Sequence, residues 1–201
     1  MPEHYGKYRG KVVNNVDPLQ QGRIIPLVPA ISELPLSWAL PCSPYAGKDV
    51  GFFALPPIGA NLWIEFEGGD PNYPIWTGGF WAKGEAPAKP AVPTTLMLKN
   101  ETMTVSLNQL TTTLEIEVRA PTGMHSIAIS AAGIKISSNT ATINVAQQSI
   151  DLQNGPSQVN IGPPGVSLKS GPAGVDVTPA AVSIKNGASS INISPAFINI
   201  N

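Results

Sequence analysis

The side chains that could do chemistry are few in this sequence and lie far apart. Cys42 is its only cysteine, and His4 and His125 are its only histidines. A nucleophilic thiol needs a base beside it, and the sequence around Cys42 supplies none. A lone cysteine also argues against a cysteine metal cluster. We interpret Cys42 as a small buried residue beside a strand, His4 as a terminal residue and His125 as a loop residue.

Glu65 and Glu67 form a carboxylate pair, because alternate residues of a strand share a face. Two carboxylates at a suitable distance can hydrolyse a glycosidic bond. They alternate with an apolar set on the same strand, however, which favours a solvated outer face. The sequence has no phosphate-binding glycine loop, and Gly162–Gly165 is a turn. We predict a non-enzymatic protein with no catalytic residue, no cofactor and no metal site.

A basic cluster near the N-terminus raises the possibility of nucleic-acid binding. Residues 1–82 hold five basic and seven acidic side chains, so their net charge is −2. This is the wrong sign for a protein that follows a phosphate backbone. The cluster, made of Lys7, Arg9, Lys11 and Arg23, is expected to contact a protein partner or to maintain solubility.

The strongest signal lies further along the chain, where ten aliphatic–x–aliphatic triplets follow one another at spacings alternating between 7 and 9 residues. The repeat is therefore 16 residues long and holds two short strands. Nine of the ten middle residues are polar or charged, which predicts one apolar and one solvated face. The aliphatic residues, predicted to form a trimer core, are Ile127, Ile129, Ile134, Ile136, Ile143, Val145, Ile150, Leu152, Val159, Ile161, Val166, Leu168, Val175, Val177, Val182, Ile184, Ile191, Ile193, Ile198 and Ile200.

Two architectures fit this repeat. One is a single-chain solenoid with two strands per coil, and the other is an intertwined trimer whose axis is filled by the triplets of three chains. A solenoid usually needs a capping end, whereas here the repeat continues to Asn201 without a cap. The pattern therefore favours an intertwined triple-stranded β-helix, or trimeric β-prism, over residues 127–201.

The N-terminal part has another composition, since residues 5–82 contain all four Trp and all four Tyr. Short strands between Pro and Gly turns predict an all-β OB-fold barrel over residues 1–82. A Pro/Ala linker at 83–95 and a β collar at 96–126 are expected to precede the rod. The predicted barrel strands are Tyr8–Asn14, Gly22–Val28, Trp38–Pro41, Asp49–Ala54, Asn61–Glu67 and Ile75–Trp81.

The N-terminal part contains an ordered set of sequence motifs. They are Tyr8-Arg9-Gly10-Lys11-Val12-Val13, Asp17-Pro18, Gly22-Arg23-Ile24, Val28-Pro29, Trp38, Pro44-Tyr45-Ala46-Gly47, Leu55-Pro56-Pro57-Ile58-Gly59, Trp63-Ile64-Glu65-Phe66-Glu67-Gly68-Gly69-Asp70 and Pro74-Ile75-Trp76-Thr77-Gly78-Gly79-Phe80-Trp81. This string resembles the OB-fold domain of the central spike of contractile phage tails, the baseplate assembly protein V type, which type VI secretion spikes share. The repetitive part is similar to the trimeric β-helix of the same spikes.

The resemblance implies a homotrimer on the tail axis of a virion or other contractile particle. Its OB domain would attach to the baseplate hub, and its rod would pierce the target cell envelope when the sheath contracts. The start Met1-Pro2-Glu3-His4 is unlike a signal peptide, so export by lysis or within a particle is expected. Some relatives carry a lysozyme domain or a His-x-His iron tip, and this sequence has neither. A PAAR-like tip protein is therefore expected to dock on Ile191, Ile193, Phe197, Ile198 and Ile200.

Two other functions stay open at this point. The chain could be a tail fibre or adhesin whose barrel binds a glycan and whose rod is a spacer. It could also be an OB-fold binder of single-stranded nucleic acid. The sequence does not distinguish a phage tail from a tailocin or another injection system.

Overall fold

The computed structural model describes residues 3–201, so residues 1 and 2 of the predicted domain and N-terminal segment lie outside the described residues. The chain divides into two compact units, Met1–Ala86 and Pro87–Asn201. Between residues 3 and 201, every element other than one 3-10 turn at Glu67–Gly69 is a β-strand. The all-β prediction is confirmed.

The first unit is a barrel-like sheet. Its strands are β1 (Tyr8–Asn14), β2 (Ile25–Leu27), β3 (Leu40–Pro41), β4 (Ala46–Gly47), β5 (Val50–Gly51), β6 (Asn61–Phe66) and β7 (Pro74–Gly79). Five of them form one sheet in the order β2-β1-β6-β7-β3, with β3 and β7 parallel and the other pairs antiparallel. Ile24 and Ala39 exchange two backbone hydrogen bonds, of 3.1 and 2.8 Å, next to the two edge strands. The sheet thus curls towards itself, as an OB-type sheet does.

The barrel has a true core because its strands alternate. Along β6 the side chains of Leu62, Ile64 and Phe66 are buried, while Trp63 and Glu65 between them are only partly covered. Val12, Ile24, Val28 and Ala39 complete the buried cluster. The predicted strand Asp49–Ala54 is the exception, since only Val50–Gly51 is extended and it pairs with Ala46–Gly47 in a separate hairpin.

The second unit is a single antiparallel sheet of thirteen strands in chain order. Its strands are β8 (Thr95–Lys99), β9 (Met103–Asn108), β10 (Thr113–Ala120), β11 (Gly123–Ser130), β12 (Gly133–Ser138), β13 (Ala141–Ala146), β14 (Ile150–Asn154), β15 (Ser157–Gly162), β16 (Gly165–Ser170), β17 (Ala173–Val177), β18 (Val182–Asn186), β19 (Ser189–Ile193) and β20 (Ile198–Ile200). Each strand pairs only with its chain neighbours, whereas a solenoid stacks successive coils in parallel. By itself the chain therefore does not form the two-strand solenoid.

The turns explain why the triplet spacing alternates. A spacing of 7 leaves one cross-strand pair before the turn, such as Ser130 with Gly133. A spacing of 9 leaves two pairs, so the strands extend further at that margin of the sheet. The turns at this longer margin begin with a left-handed residue every 16 positions. Their φ angles are 53° at Asn139, 54° at Gly155, 56° at Gly171 and 59° at Gly187, where Gly and Asn are the residues that fit best.

Candidate assembly interface

The apolar face of the thirteen-stranded sheet is bare. All twenty predicted core residues lie on this face, in two continuous columns that run along the sheet through directly paired positions. One column passes through Ile127 and Ile136, the other through Ile129 and Ile134. Fourteen of the twenty side chains are between 37% and 45% exposed, and no residue from 87 to 201 is buried. A monomer rarely leaves an apolar face of this extent open to water.

The exposure has an energetic consequence. Complete burial of an aliphatic side chain contributes roughly 1.5–3 kcal/mol. Fourteen side chains that are two-fifths exposed therefore leave on the order of 10 kcal/mol per chain to be gained by covering the face. This is comparable with the cost of association, roughly 4–15 kcal/mol. Covering this face would thus offset the cost of association, and additional contacts would have to supply the net binding free energy.

The sheet is also concave on this side. A groove of about 800 Å³ follows the column that contains Ile136 and Ile184. Small side chains at the longer margin of the sheet, such as Ala141, Ser157 and Ala173, line its other side. Short side chains thus line part of this margin, while Gln158, Lys169 and Lys185 also line the groove.

Sequence reasoning placed the start of the apolar columns too late. The columns continue upstream without a change of register, through residues assigned to the collar. The added residues are Leu96, Leu98, Val105, Leu107, Leu114 and Ile116. They also form aliphatic–x–aliphatic triplets, but the longer turns between their strands break the 7/9 spacing. The triplet motif without the spacing rule would have found them.

The opposite face carries the middle residues of the triplets as a polar ladder. Asp151 lies directly between Asn144 and Asn160 on neighbouring strands. The amide of Asn160 donates a hydrogen bond to the Asp151 carboxylate, and Ser149 Oγ donates another at 2.9 Å. The bonds from Asn160, Ser149 and Asn144 hold the pKa of Asp151 below its usual value. The ladder adds side-chain hydrogen bonds between strands on the face opposite the apolar columns, where these residues are only partly exposed.

Four of the five predicted tip-docking residues lie on the last two strands, and Phe197 directly precedes β20. Ser190 and Asn201 exchange two backbone hydrogen bonds of 2.8 Å. Because bonding alternates along an antiparallel pair, the N–H and C=O groups of Ile198 and Ile200 point away from β19. Phe197, Ile198 and Ile200 are each more than 60% exposed. This edge offers both apolar side chains and backbone groups to a further strand.

The residues weighed for chemistry do not form a catalytic arrangement. Cys42 is exposed, which corrects its interpretation as a buried residue. His4 stacks edge-on against Tyr8 and Phe66, and His125 shares a hydrogen bond of 2.9 Å with Ser138 on strand β12. His125 itself lies on β11 and not in a loop, because β11 extends further than expected. Among residues 3–201 no group of three His, Cys, Asp or Glu is placed to hold a metal ion.

Glu65 and three members of the basic cluster, Lys7, Arg9 and Arg23, make contacts within the barrel. Lys7 pairs with Glu65 and donates to Thr77 Oγ1 at 3.1 Å, while Glu67 begins the 3-10 turn. The Arg9 guanidinium lies 5.6 Å from the ring centres of both Trp63 and Phe80. These side chains stabilise the outer surface of the sheet through cation–π and ionic contacts.

Asp17 organises the loop between β1 and β2. Its carboxylate accepts bonds from the Arg23 guanidinium, the shorter at 2.6 Å, and from the backbone N–H groups of Leu19, Gln21 and Arg23. The Asp17 side chain is 2% exposed. The bond from Arg23 is the largest cause that holds the pKa of Asp17 far below its usual range. Arg23 also lies 5.2 Å from the Trp38 ring, which fixes the loop to the barrel.

The first unit is thus an OB-type barrel, and the second is a repetitive sheet with an uncovered apolar face. Residues 8–81, a little over a third of the chain, match the family model of the Type VI secretion system/phage-baseplate injector OB domain. The barrel is thus an OB domain of this injector family, as the sequence motifs predicted, and the protein has a structural role in a baseplate or spike. The search of curated proteins found no match. No helix within residues 3–201 is long and apolar enough to cross a membrane.

Proposed function

We propose that this protein is the central spike of a contractile tail baseplate and that it works as a homotrimer. The observation that carries the proposal is the bare apolar face that runs along thirteen strands in the same chain as an injector OB domain. Three chains that turn these faces towards a common axis would cover them all. Each chain would keep its polar ladder towards water.

The mechanism follows from how such a rod bears load. In the single chain the strands lie in one antiparallel sheet, so these backbone hydrogen bonds link neighbouring segments of the same chain, whereas the predicted intertwined β-helix would also pair strands of different chains. In the trimer the side-chain columns of three chains interlock along the axis, and a strand can leave only if both sets of contacts break. The rod would thus stay folded while the contracting sheath drives it through the target cell envelope.

The two ends of the spike need different partners. The OB domain attaches to the baseplate hub, and a PAAR-like tip protein docks on Ile191, Ile193, Phe197, Ile198 and Ile200. The open edge of β20 supports the second contact, because it combines apolar side chains with outward N–H and C=O groups. Arg9, one exposed cation of the basic cluster, is held on Trp63 and Phe80, which gives it a role within the barrel surface.

Light scattering on the purified full-length chain tests this function. We expect three times the chain mass of 21.1 kDa, at concentrations well below those used for purification. Cryo-electron microscopy of the particle should place the protein on the tail axis. A stable folded monomer, or a peripheral position in the particle, would contradict the proposal.

A further inference from the structure

The two ends of the barrel differ in their surface. The loops at 15–23 and 42–60 lie at one end, because β1 runs towards it and the antiparallel β6 starts from it. Asn15 Nδ2 donates to the Pro56 carbonyl at 3.0 Å, which joins the two loops. We call this the apolar end. Seven large apolar residues are more than half exposed there, namely Val16, Leu19, Tyr45, Val50, Phe52, Phe53 and Ile58.

The opposite end is formed by the loops at 28–37 and 67–73, which Ser37 connects through a 2.8 Å bond to the Asn72 carbonyl. It exposes Leu34 and Tyr73 together with the acidic residues Glu33 and Glu67, and Asp70 is partly exposed there. The apolar end has four charged residues, but Asp17 and Arg23 are paired with each other. Only Lys48 and Asp49 at the hairpin tip remain. Many aromatics and few charges are the composition of an interface core.

The apolar end is also held in one conformation. Ser43 Oγ donates bonds of 3.0 Å towards the carbonyls of both Tyr45 and Phe52, which fixes the base of the hairpin. The Phe53 ring lies against Gly22, where an added Cβ would come within 3.1 Å of it. A surface that is already ordered loses little conformational freedom on binding.

We infer that the apolar end binds the apolar ends of the other copies of this chain, and this inference rests on the trimer proposed above. The seven side chains expose on the order of 700 Å², close to the roughly 800 Å² per partner of a standard interface. The chain also leaves the barrel at this end, since β7 runs towards it. Eight residues separate Ala86 from Thr95, and the nine steps between them span at most roughly 32 Å. Three chains joined from Thr95 onwards therefore hold three apolar ends at high local concentration.

A photo-cross-linking residue tests the contact in the full-length protein. Phe53 is 72% and Leu34 is 73% exposed, so the two positions form a matched pair at opposite ends of the barrel. Each is replaced in turn by p-benzoylphenylalanine, and the purified protein is irradiated at working concentration. We expect covalent dimers and trimers from the Phe53 variant, with the cross-links mapping to residues 15–60 of another copy, and none from the Leu34 variant.

Two further variants test whether the cross-link at position 53 depends on the apolar end. Replacement of Phe52 by Ser in the Phe53 variant should abolish the cross-link, while replacement of Tyr73 by Ser should not. Absence of covalent dimers from a protein that light scattering shows to be trimeric would overturn this inference alone. Cross-linking of position 53 only to an added hub protein would overturn it as well, in favour of hub binding. A folded monomer in light scattering would contradict the trimer and the proposed function together.

Discussion

The barrel and the thirteen-stranded sheet use the same alternation of apolar and polar residues, yet only the barrel buries its apolar side. Seven side chains form a closed core in the barrel, whereas no side chain from residue 87 onwards is buried. The barrel closes because strands far apart in sequence meet, as Ile24 and Ala39 do. In the sheet every strand meets only its chain neighbours, so the apolar face has no intramolecular partner. The barrel is therefore stabilised within one chain, whereas under the proposed function the sheet is stabilised between chains.

A charge on the apolar face of the sheet should give the largest difference in stability between the sheet and the barrel. Ile184→Asp places a carboxylate in the apolar column, and an unpaired charge buried by association costs several kcal/mol. We expect loss of the trimer in light scattering and a fall in the melting temperature of the sheet. Lys185→Asp is the matched control, since the neighbouring side chain points to the polar face and that variant should stay trimeric. Equal behaviour of the two variants would refute the shared apolar axis.

A cavity in the barrel core should destabilise the barrel and leave the sheet unchanged. Ile64 is fully buried, so Ile64→Ala is expected to cost roughly 2–5 kcal/mol of barrel stability. Differential scanning calorimetry should show a lower barrel transition and an unchanged sheet transition. Dilution should do the reverse, because only association between chains depends on concentration. One transition that shifts with both changes would show that the regions do not unfold independently.

The bonds that the Asp17 carboxylate accepts from Arg23 and the loop backbone, here called the Asp17 brace, should make barrel stability depend on pH. The folded-state pKa of Asp17 lies below its unfolded value, so the brace contributes above about pH 4 and is lost as the pH falls further. Urea denaturation at pH 7 and pH 3 measures this loss. Asp17→Asn should lower stability at pH 7 and leave a smaller difference between the two conditions. An unchanged pH dependence in this variant would assign the effect to other carboxylates.

The smallest effect is expected at the repeated turns. Gly187 has a φ of 59°, and Ala in this region costs roughly 1–2 kcal/mol. Gly187→Asn should cost less, because Asn139 already occupies the equivalent turn one period upstream of Gly155. Thermal unfolding of the two variants side by side measures the difference. Equal stability of the Ala and Asn variants would mean that the backbone angle does not determine the residue at this turn.

Much of the architecture follows from the sequence because it depends on local pattern. The bounds of β1, Tyr8–Asn14, and the apolar–polar alternation of the triplets are set by local pattern and could be predicted, whereas the pairing of each triplet with its chain neighbours in one sheet was not predicted. The hairpin at Ala46–Gly51 was missed because its strands are two residues long and carry glycines. The apolar end of the barrel could not be predicted, since the sequence shows that Phe52 and Phe53 are hydrophobic but not that the fold leaves them exposed.

Because the left-handed turns recur every 16 residues, the length of the rod is a multiple of one repeat unit. Excision of residues 155–170 would join Asn154 to Gly171, which restores the same turn and keeps every later side chain on its original face. The reach of the device would shorten by two strands, roughly 10 Å. Complete 16-residue units can therefore be gained or lost in evolution without other changes. An insertion of an odd number of residues would instead exchange the apolar and polar faces of every later strand.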